Sequence, residues 1–221
     1  MYIAGGYNAA KTMPCYWVGG ARTDLDGGTG NSFAVAIAVV QGTAYVVGGR
    51  SDGTKVFPCY WVGGTRTDLG GDGIHDTFCS YGIGVSGSTV YTGGGYNDGT
   101  KTTPSYWEGT VRTELPVGSN HGGGIGSIIL AGGTVYSAGS YNDGAKDIPC
   151  YWAGTGRTDL PGDGTHDAYA VAILVSGGTV YTAGWYTNGT NAVACYWTGT
   201  ARTDLAPAGS TASWIDDILV Y

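Results

Sequence analysis

A tetrapeptide, Arg-Thr-Asp-Leu, returns along the chain at nearly constant intervals and constrains the fold more than any other feature. The intervals are 44, 46, 45 and 45 residues, and the third copy has Glu114 in place of aspartate. Five residues before each arginine stands a tryptophan that follows a tyrosine. A period in this range is typical of a solenoid or a propeller, because one repeat cannot bury its apolar face alone. The five arginines are Arg22, Arg66, Arg112, Arg157 and Arg202.

The repeat at residues 161–205 predicts four short strands. The first is apolar throughout (AYAVAILVS), as expected for a strand buried on both faces, and Gly177-Gly178 after it is a hairpin signal. Four antiparallel strands per repeat are the pattern of a propeller blade. The predicted strands, named A to D in chain order, are Ala168–Ser176, Thr179–Tyr186, Ala194–Thr198 and Ala201–Leu205.

The two ends of the chain supply complementary parts of one repeat. Residues 1–5 align with strand B of the last repeat, and residues 218–220 align with its strand A. We therefore predict an all-β, five-bladed β-propeller with four antiparallel strands per blade, as a single domain of residues 1–221. The ring is predicted to close where the N-terminal strand B pairs with a C-terminal strand A, Ser213–Val220, which removes exposed strand edges.

Charge and hydropathy exclude several classes of partner. The net charge is −7, and nine of the ten basic residues recur one per repeat, so no basic patch for nucleic acid is expected. No run of about 18 apolar residues is present, which predicts no membrane span. The chain starts without the pattern of a signal peptide. We expect a monomer, and the sequence leaves its compartment and its natural or engineered origin open.

The cysteines are predicted to be buried, free thiols. Cys15, Cys59, Cys150 and Cys195 occupy one repeat position, filled by Ser105 in the third copy, and Cys79 lies elsewhere. Equivalent positions in neighbouring blades lie beyond the roughly 7 Å Cα separation that a disulfide allows. No Cys-x-x-Cys pair suggests a zinc site.

Strand D should form the outer edge of each blade. Its arginine and acid are two residues apart and so share one face. We interpret them as ion pairs that protect a charged edge and bridge to a neighbouring blade, with ligand binding as the alternative.

Longer and more polar loops are predicted on the face that carries the D–A and B–C connections, which makes it the candidate binding face. Its histidines favour a structural role through bonds to backbone or a strand hydroxyl, with a ligand contact or a metal as alternatives. Trp185 replaces a small residue of the other repeats, which indicates local repacking or an asymmetric pocket. Trp214 opens strand A and favours packing between blades or stacking on a sugar. The candidate ligand-binding residues are His75, His121, His166, Asp163, Asp167, Tyr96, Tyr141, Tyr186, Trp185 and Trp214.

Catalytic and cofactor motifs are missing from the sequence. Asp216 and Asp217 are the clear acids on the predicted inner strands, and because they are adjacent they should face opposite ways. A glycosidase needs two inward carboxylates. Asp159, Asp163 and Asp167 are spaced by four, but they lack the alternating oxygen ligands of a calcium loop. We predict no enzyme activity, no metal and no cofactor.

The Tyr-Trp-x-Gly-x-x-Arg-Thr-Asp-Leu segment and the Gly-Thr-His-Asp loop resemble blade repeats of uncharacterised bacterial, often exported, propeller proteins. The layout is also similar to the Trp-Asp repeat family, although no Trp-Asp dipeptide ends a strand. Five blades of this length resemble tachylectin-type lectins in architecture, which implies sugar binding between blades. Our leading hypothesis is a non-catalytic propeller, either a binding module or a scaffold. The alternatives are a multivalent lectin that uses the loop face, and a glycoside hydrolase relic.

Overall fold

The computed structural model describes residues 1–70, 77–118, 121–205 and 210–220, with residues 77–81 described by their backbone. Throughout these residues the regular structure is β-strand, in five antiparallel sheets that follow one another along the chain. None of the described residues belongs to a helix of the length and apolarity needed to cross a bilayer. The predicted all-β, five-bladed propeller architecture is therefore confirmed at the level of its sheets.

Four sheets have the predicted strand order A-B-C-D. The second blade comprises β4 (Phe33–Val40), β5 (Thr43–Ser51), β6 (Val56–Val62) and β7 (Thr65–Asp68). The third comprises β8 (Thr77–Ser86), β9 (Thr89–Asn97), β10 (Thr102–Glu108) and β11 (Val111–Glu114). The fourth comprises β12 (Gly123–Ala131), β13 (Thr134–Asn142), β14 (Asp147–Ala153) and β15 (Gly156–Asp159). The fifth comprises β16 (Ala168–Ser176), β17 (Thr179–Thr187), β18 (Ala192–Thr198) and β19 (Ala201–Asp204).

The first sheet has three strands, which corrects the prediction of four in every blade. It comprises β1 (Tyr2–Asn8), β2 (Thr12–Val18) and β3 (Ala21–Asp24). Residues 213–220, predicted as its strand A, have no regular secondary structure. They run instead along the fifth blade, where Ile215 and Ile218 line a cavity with Tyr181 and Leu205. The pairing that would close the ring is thus not made between the described residues.

A close approach of strands A and B explains one glycine in each of the second, fourth and fifth blades. A Cβ added to Gly184 would lie 1.9 Å from the carbonyl oxygen of Tyr169, and at Gly48 or Gly139 the equivalent distance is 2.0 Å. One residue further along strand A the pairing register shifts, between Ala34 and Ala36 and at the same place in β12 and β16. Such bulges redirect a side chain out of the ladder.

The leucine of the repeated tetrapeptide connects neighbouring blades. Leu160, at the end of the fourth blade, packs in the core of the fifth against Cys195 and Trp197. The same arrangement recurs at Leu25 and Leu115. In the second, fourth and fifth blades the tryptophan indole also donates to the loop that leaves the preceding blade, as in Trp197 Nε1 to the carbonyl oxygen of Pro161 at 3.0 Å. The second to fifth blades therefore complete their cores with a leucine of the preceding blade.

The two free ends lack these contacts. Leu205 is 45% exposed, whereas the equivalent leucines of the first four copies are 1–3% exposed. Trp17 is half-buried, whereas the other four tryptophans of its repeat position are fully buried. The first and last sheets accordingly retain partly uncovered apolar faces.

The charged outer edge is confirmed. In every strand D the arginine pairs with the acid two residues on, at N–O distances of 2.8–2.9 Å. Bridging between blades also occurs, since Arg66 pairs with Asp26 of the first blade's exit loop at 2.7 Å.

The cysteine prediction is confirmed at the four repeat positions. Cys15, Cys59, Cys150 and Cys195 are buried free thiols. Burial raises the pKa of the Cys195 thiol to about 12 and that of Cys150 well above its usual value. The side chain of Cys79 lies outside the described part of the structure.

Candidate functional site

The tyrosines predicted on the loop face are engaged within their own blades. The Arg157 guanidinium lies 4.0 Å from the centre of the Tyr141 ring, and the Tyr141 hydroxyl donates to Asp159. Tyr186 has the same partners in Arg202 and Asp204, and Arg112 lies 3.4 Å from the ring centre of Tyr96. These rings have one face covered by a cation of the same blade, which reduces the surface available to a ligand.

The loop histidines lie against the B–C turns. A Cβ added to Gly189 would be 2.8 Å from His166 Nε2, and one added to Gly144 would be 3.0 Å from His121 Cε1. The partner of His166 differs from the predicted backbone or hydroxyl group, since its Nδ1 lies 2.6 Å from Asp163 Oδ2. His75 lies outside the described residues.

The loop aspartates Asp163 and Asp167 accept hydrogen bonds from different segments of the chain. Asp163 accepts the backbone N–H groups of Thr165 and His166, and the His166 side chain is the largest of the contacts that hold its pKa well below the usual range. Asp167 accepts the backbone N–H of Asp147 in the preceding blade. Within the described residues, no group of three or more His, Cys, Asp or Glu side chains is placed to hold a metal ion.

Two cavities lie near these loops. One of about 200 Å³ separates the fourth and fifth blades, with Lys146, Leu160 and His166 in its wall. Another of about 940 Å³ lies beside the third blade, with Tyr96, Lys101 and Arg112 in its wall. Neither cavity brings two of the predicted aromatic side chains together.

A third cavity is lined by two of the predicted ligand-binding residues, and we call it the central cavity. Its volume is about 760 Å³, and inner strands β12 and β16 contribute to its wall. It contains Trp185, which replaces a small residue of the other repeats, together with the strand A aromatic Trp214 and one acid. Its lining residues are Gly126, Val171, Trp185, Ala192, Trp214, Ile215 and Asp216.

Trp185 is held on one side of the central cavity by a neighbouring tyrosine. The ring centres of Tyr169 and Trp185 are 4.4 Å apart, in a tilted arrangement of 37°. The Tyr169 hydroxyl donates to Asp147 Oδ2 at 2.6 Å. Burial, with this hydrogen bond, raises the pKa of Tyr169 well above its usual value, so the hydroxyl remains a donor. The orientation of Trp185 is therefore supported from both the fourth and the fifth blades.

Trp214 is positioned by the residue before it. The backbone N–H of Ser213 donates to the carbonyl oxygen of Ala192, and Ser213 Oγ accepts the backbone N–H of Ala194, both at 2.8 Å. Ser32 makes the same backbone contact to Thr12 in an earlier repeat. Trp214 remains 69% exposed, so its indole is open to solvent beside the central cavity.

Asp216 corresponds in the repeat to the bulge residues Gly126 and Val171, and all three line the central cavity. Asp217 lines the separate cavity that contains Tyr181 and Leu205. The adjacent acids thus line different cavities, although the segment that carries them is not a strand. The sequence points to Asp216 as a possible catalytic acid, and the bulge column, which holds Val35, Gly126 and Val171 in three other repeats, is the signal that also marks it as a binding residue.

Comparison with known proteins adds the fold alone. No family model and no curated protein matches the chain. A solved structure described as a polysaccharide lyase of family PL25, an ulvan lyase, superposes with a TM-score of 0.54 and 11% sequence identity. The match covers 93% of this chain and 62% of the lyase chain, so the chain spans less than two thirds of that protein's length.

Proposed function

We propose that this protein is a non-catalytic carbohydrate-binding module and that the central cavity is its sugar site. The observation that carries the proposal is the convergence of Trp185, Trp214 and Asp216 on one cavity. Aromatic faces bury the apolar C–H face of a sugar ring, and a carboxylate accepts hydrogen bonds from its hydroxyls. A concave site with a few convergent polar groups is the usual form of a small-ligand site.

A single site per chain is expected, in contrast to a five-fold lectin. Trp185 stands where the other repeats have Gly6, Gly49, Gly95 or Ser140. No other repeat has an acid at the position equivalent to Asp216. The repeated tyrosines, by comparison, contact arginines in their own blades. The carbohydrate-active neighbour is compatible with a sugar ligand for this chain, and the ligand class remains our proposal.

The proposal of binding without cleavage rests on the acids at this cavity. Glycoside hydrolysis uses two carboxyl groups about 5–10 Å apart on either side of one bond. Among the described residues that line the central cavity, Asp216 is the one carboxylate, and Asp217 lines another cavity. The glycoside hydrolase alternative would require a second acid from outside this wall.

The test is a titration of the purified protein with neutral hexasaccharides of β-1,4-glucose, β-1,3-glucose and β-1,4-mannose, followed by calorimetry and tryptophan fluorescence. We expect one site per chain for at least one of them. Trp214→Ala should weaken that binding about tenfold or more, because truncation of a tryptophan anchor removes much of a site's affinity.

Leu219→Ala is the matched control. Leu219 is 68% exposed in the same C-terminal segment, but it lines the other cavity. It should leave sugar affinity unchanged. Equal losses in both variants, or wild-type protein that binds none of the three hexasaccharides, would refute the central cavity as a sugar site. Hydrolysis products that disappear in Asp216→Asn would support the glycosidase instead.

A further inference from the structure

The charge of the central cavity comes from one side chain. Asp216 is the charged residue of its wall, and none of the other described lining residues is a lysine or an arginine. The other two cavities near the loops differ in this respect, since Lys101 and Arg112 line one and Lys146 lines the other. The whole chain carries a net charge of −7, which adds to the negative potential at the central cavity.

This distribution has a direct consequence for sugars that bear a carboxylate. A hexuronate in the central cavity would place its negative charge beside Asp216, with no lining cation to compensate. The two carboxylates would repel each other, although the exposure of Asp216 to solvent weakens this repulsion. An uncharged hexose meets no such repulsion, and its hydroxyls donate to the carboxylate. An amine-bearing hexose gains an attraction to Asp216 and to the indole faces.

We infer that Asp216 is a specificity-determining residue that lets the central cavity take neutral or amine-bearing hexoses and makes it reject hexuronates. This inference rests on the proposed function, because it names the ligand class of the same site. It separates the cavity from one built for acidic polysaccharides, which needs cations at the sugar.

The chain supplies a matched pair of acids for the test. Asp216→Asn and Asp217→Asn change the net charge of the protein equally, but only Asp216 lines the central cavity. The probes are a neutral β-1,4-gluco-hexasaccharide, its amine-bearing counterpart at pH 5.5, and a hexuronate oligomer of equal length. Calorimetry would give the affinity for each in wild type and in both variants, at low and at high salt.

We expect wild type to bind the neutral probe about fivefold or more tightly than the hexuronate, and the amine-bearing probe at least as tightly as the neutral one. Asp216→Asn should shrink the neutral-to-hexuronate ratio several-fold, and high salt should shrink it in wild type. Asp217→Asn should leave the ratio unchanged.

Different failures have different meanings. Equal changes in both variants, or tighter binding of the hexuronate by wild type, would overturn the role of Asp216 while sugar binding itself stands. Binding that survives Trp214→Ala, or no binding of any probe, would overturn both the role of Asp216 and the proposed function.

Discussion

At the scale of single residues, the B–C turns show how one carboxylate organises a loop. Asp98 Oδ1 accepts the Thr100 hydroxyl at 2.6 Å and the backbone N–H groups of Thr100 and Lys101. These bonds, the hydroxyl first, lower the pKa of Asp98 to about 2, and Asp52 has the same contacts and direction. In the fifth blade Asn188 fills the position and accepts the equivalent backbone N–H groups. The turn therefore needs a side-chain oxygen at this position, and the negative charge of an aspartate strengthens the hydrogen bonds that this oxygen accepts.

Asp98→Asn should separate these two contributions. The pKa of Asp98 is lower in the folded protein than the usual unfolded value of about 4, so its charge stabilises the fold above that pH. The advantage is lost as pH falls through about 2. We expect wild type to melt above Asp98→Asn at pH 7 and the two melting temperatures to converge near pH 2, as measured by calorimetry. A constant difference across this range would show that the charge contributes nothing.

At the scale of the elements, each blade depends on the leucine of the preceding one. Leu160 is 3% exposed and packs with Ile173, Cys195 and Trp197 of the fifth blade. Because the leucine follows strand D directly, the same segment supplies both the charged outer edge and the contact between blades. Thr182 of the same blade is also buried, and its hydroxyl has no hydrogen-bond partner.

Leu160→Ala should lower the free energy of unfolding by about 2–5 kcal/mol, because it leaves a cavity between two blades. Val111→Ala is the control, since Val111 is 68% exposed on an outer strand, and it should change stability by less than about 1 kcal/mol. Urea unfolding followed by tryptophan fluorescence would measure both. Similar small effects would mean that the leucine does not connect the blades.

At the scale of the whole molecule, the first sheet has a glycine at the position where other blades need room for strand A. Among the described residues, however, no strand A pairs with this sheet. A Cβ on Gly5 would meet Trp17 at 3.2 Å and no backbone carbonyl, whereas its equivalent Gly184 faces the Tyr169 carbonyl oxygen at 1.9 Å. Leu205 is likewise exposed although its sequence equivalents are buried. Both residues fit a first blade completed by residues 213–220, so ring closure stays a prediction of the sequence.

Gly5→Ala tests that closure, with Gly184→Ala as the reference. By the register of the fifth blade, Ile215 would pair with Gly5 and Ile218 with Ile3. If this pairing forms in solution, we expect Gly5→Ala to lower the melting temperature about as much as Gly184→Ala, because the new methyl group meets a strand A carbonyl. An unchanged melting temperature for Gly5→Ala alone would show that strand A does not pair with the first sheet.

The sequence by itself determined the features that repeat. The 45-residue period, the strand alternation and the turn glycines are local signals, and they predicted five sheets, the ion-paired outer edges and the buried thiols. Each of these depends on contacts that recur in every repeat, so the copies reinforced one another.

Only the tertiary structure decided which aromatic residues remain available to a ligand. Tyr141 and Tyr186 looked as suitable as Trp185 and Trp214, but arginines cover the tyrosine rings, while the two tryptophans line one cavity with Asp216. Trp185 and Trp214 are brought together by the path of the C-terminal segment along the fifth blade and by the contacts of Ser213. The three-stranded first sheet was also not predicted from the sequence, because completion of that sheet depends on the packing of the first blade against the last.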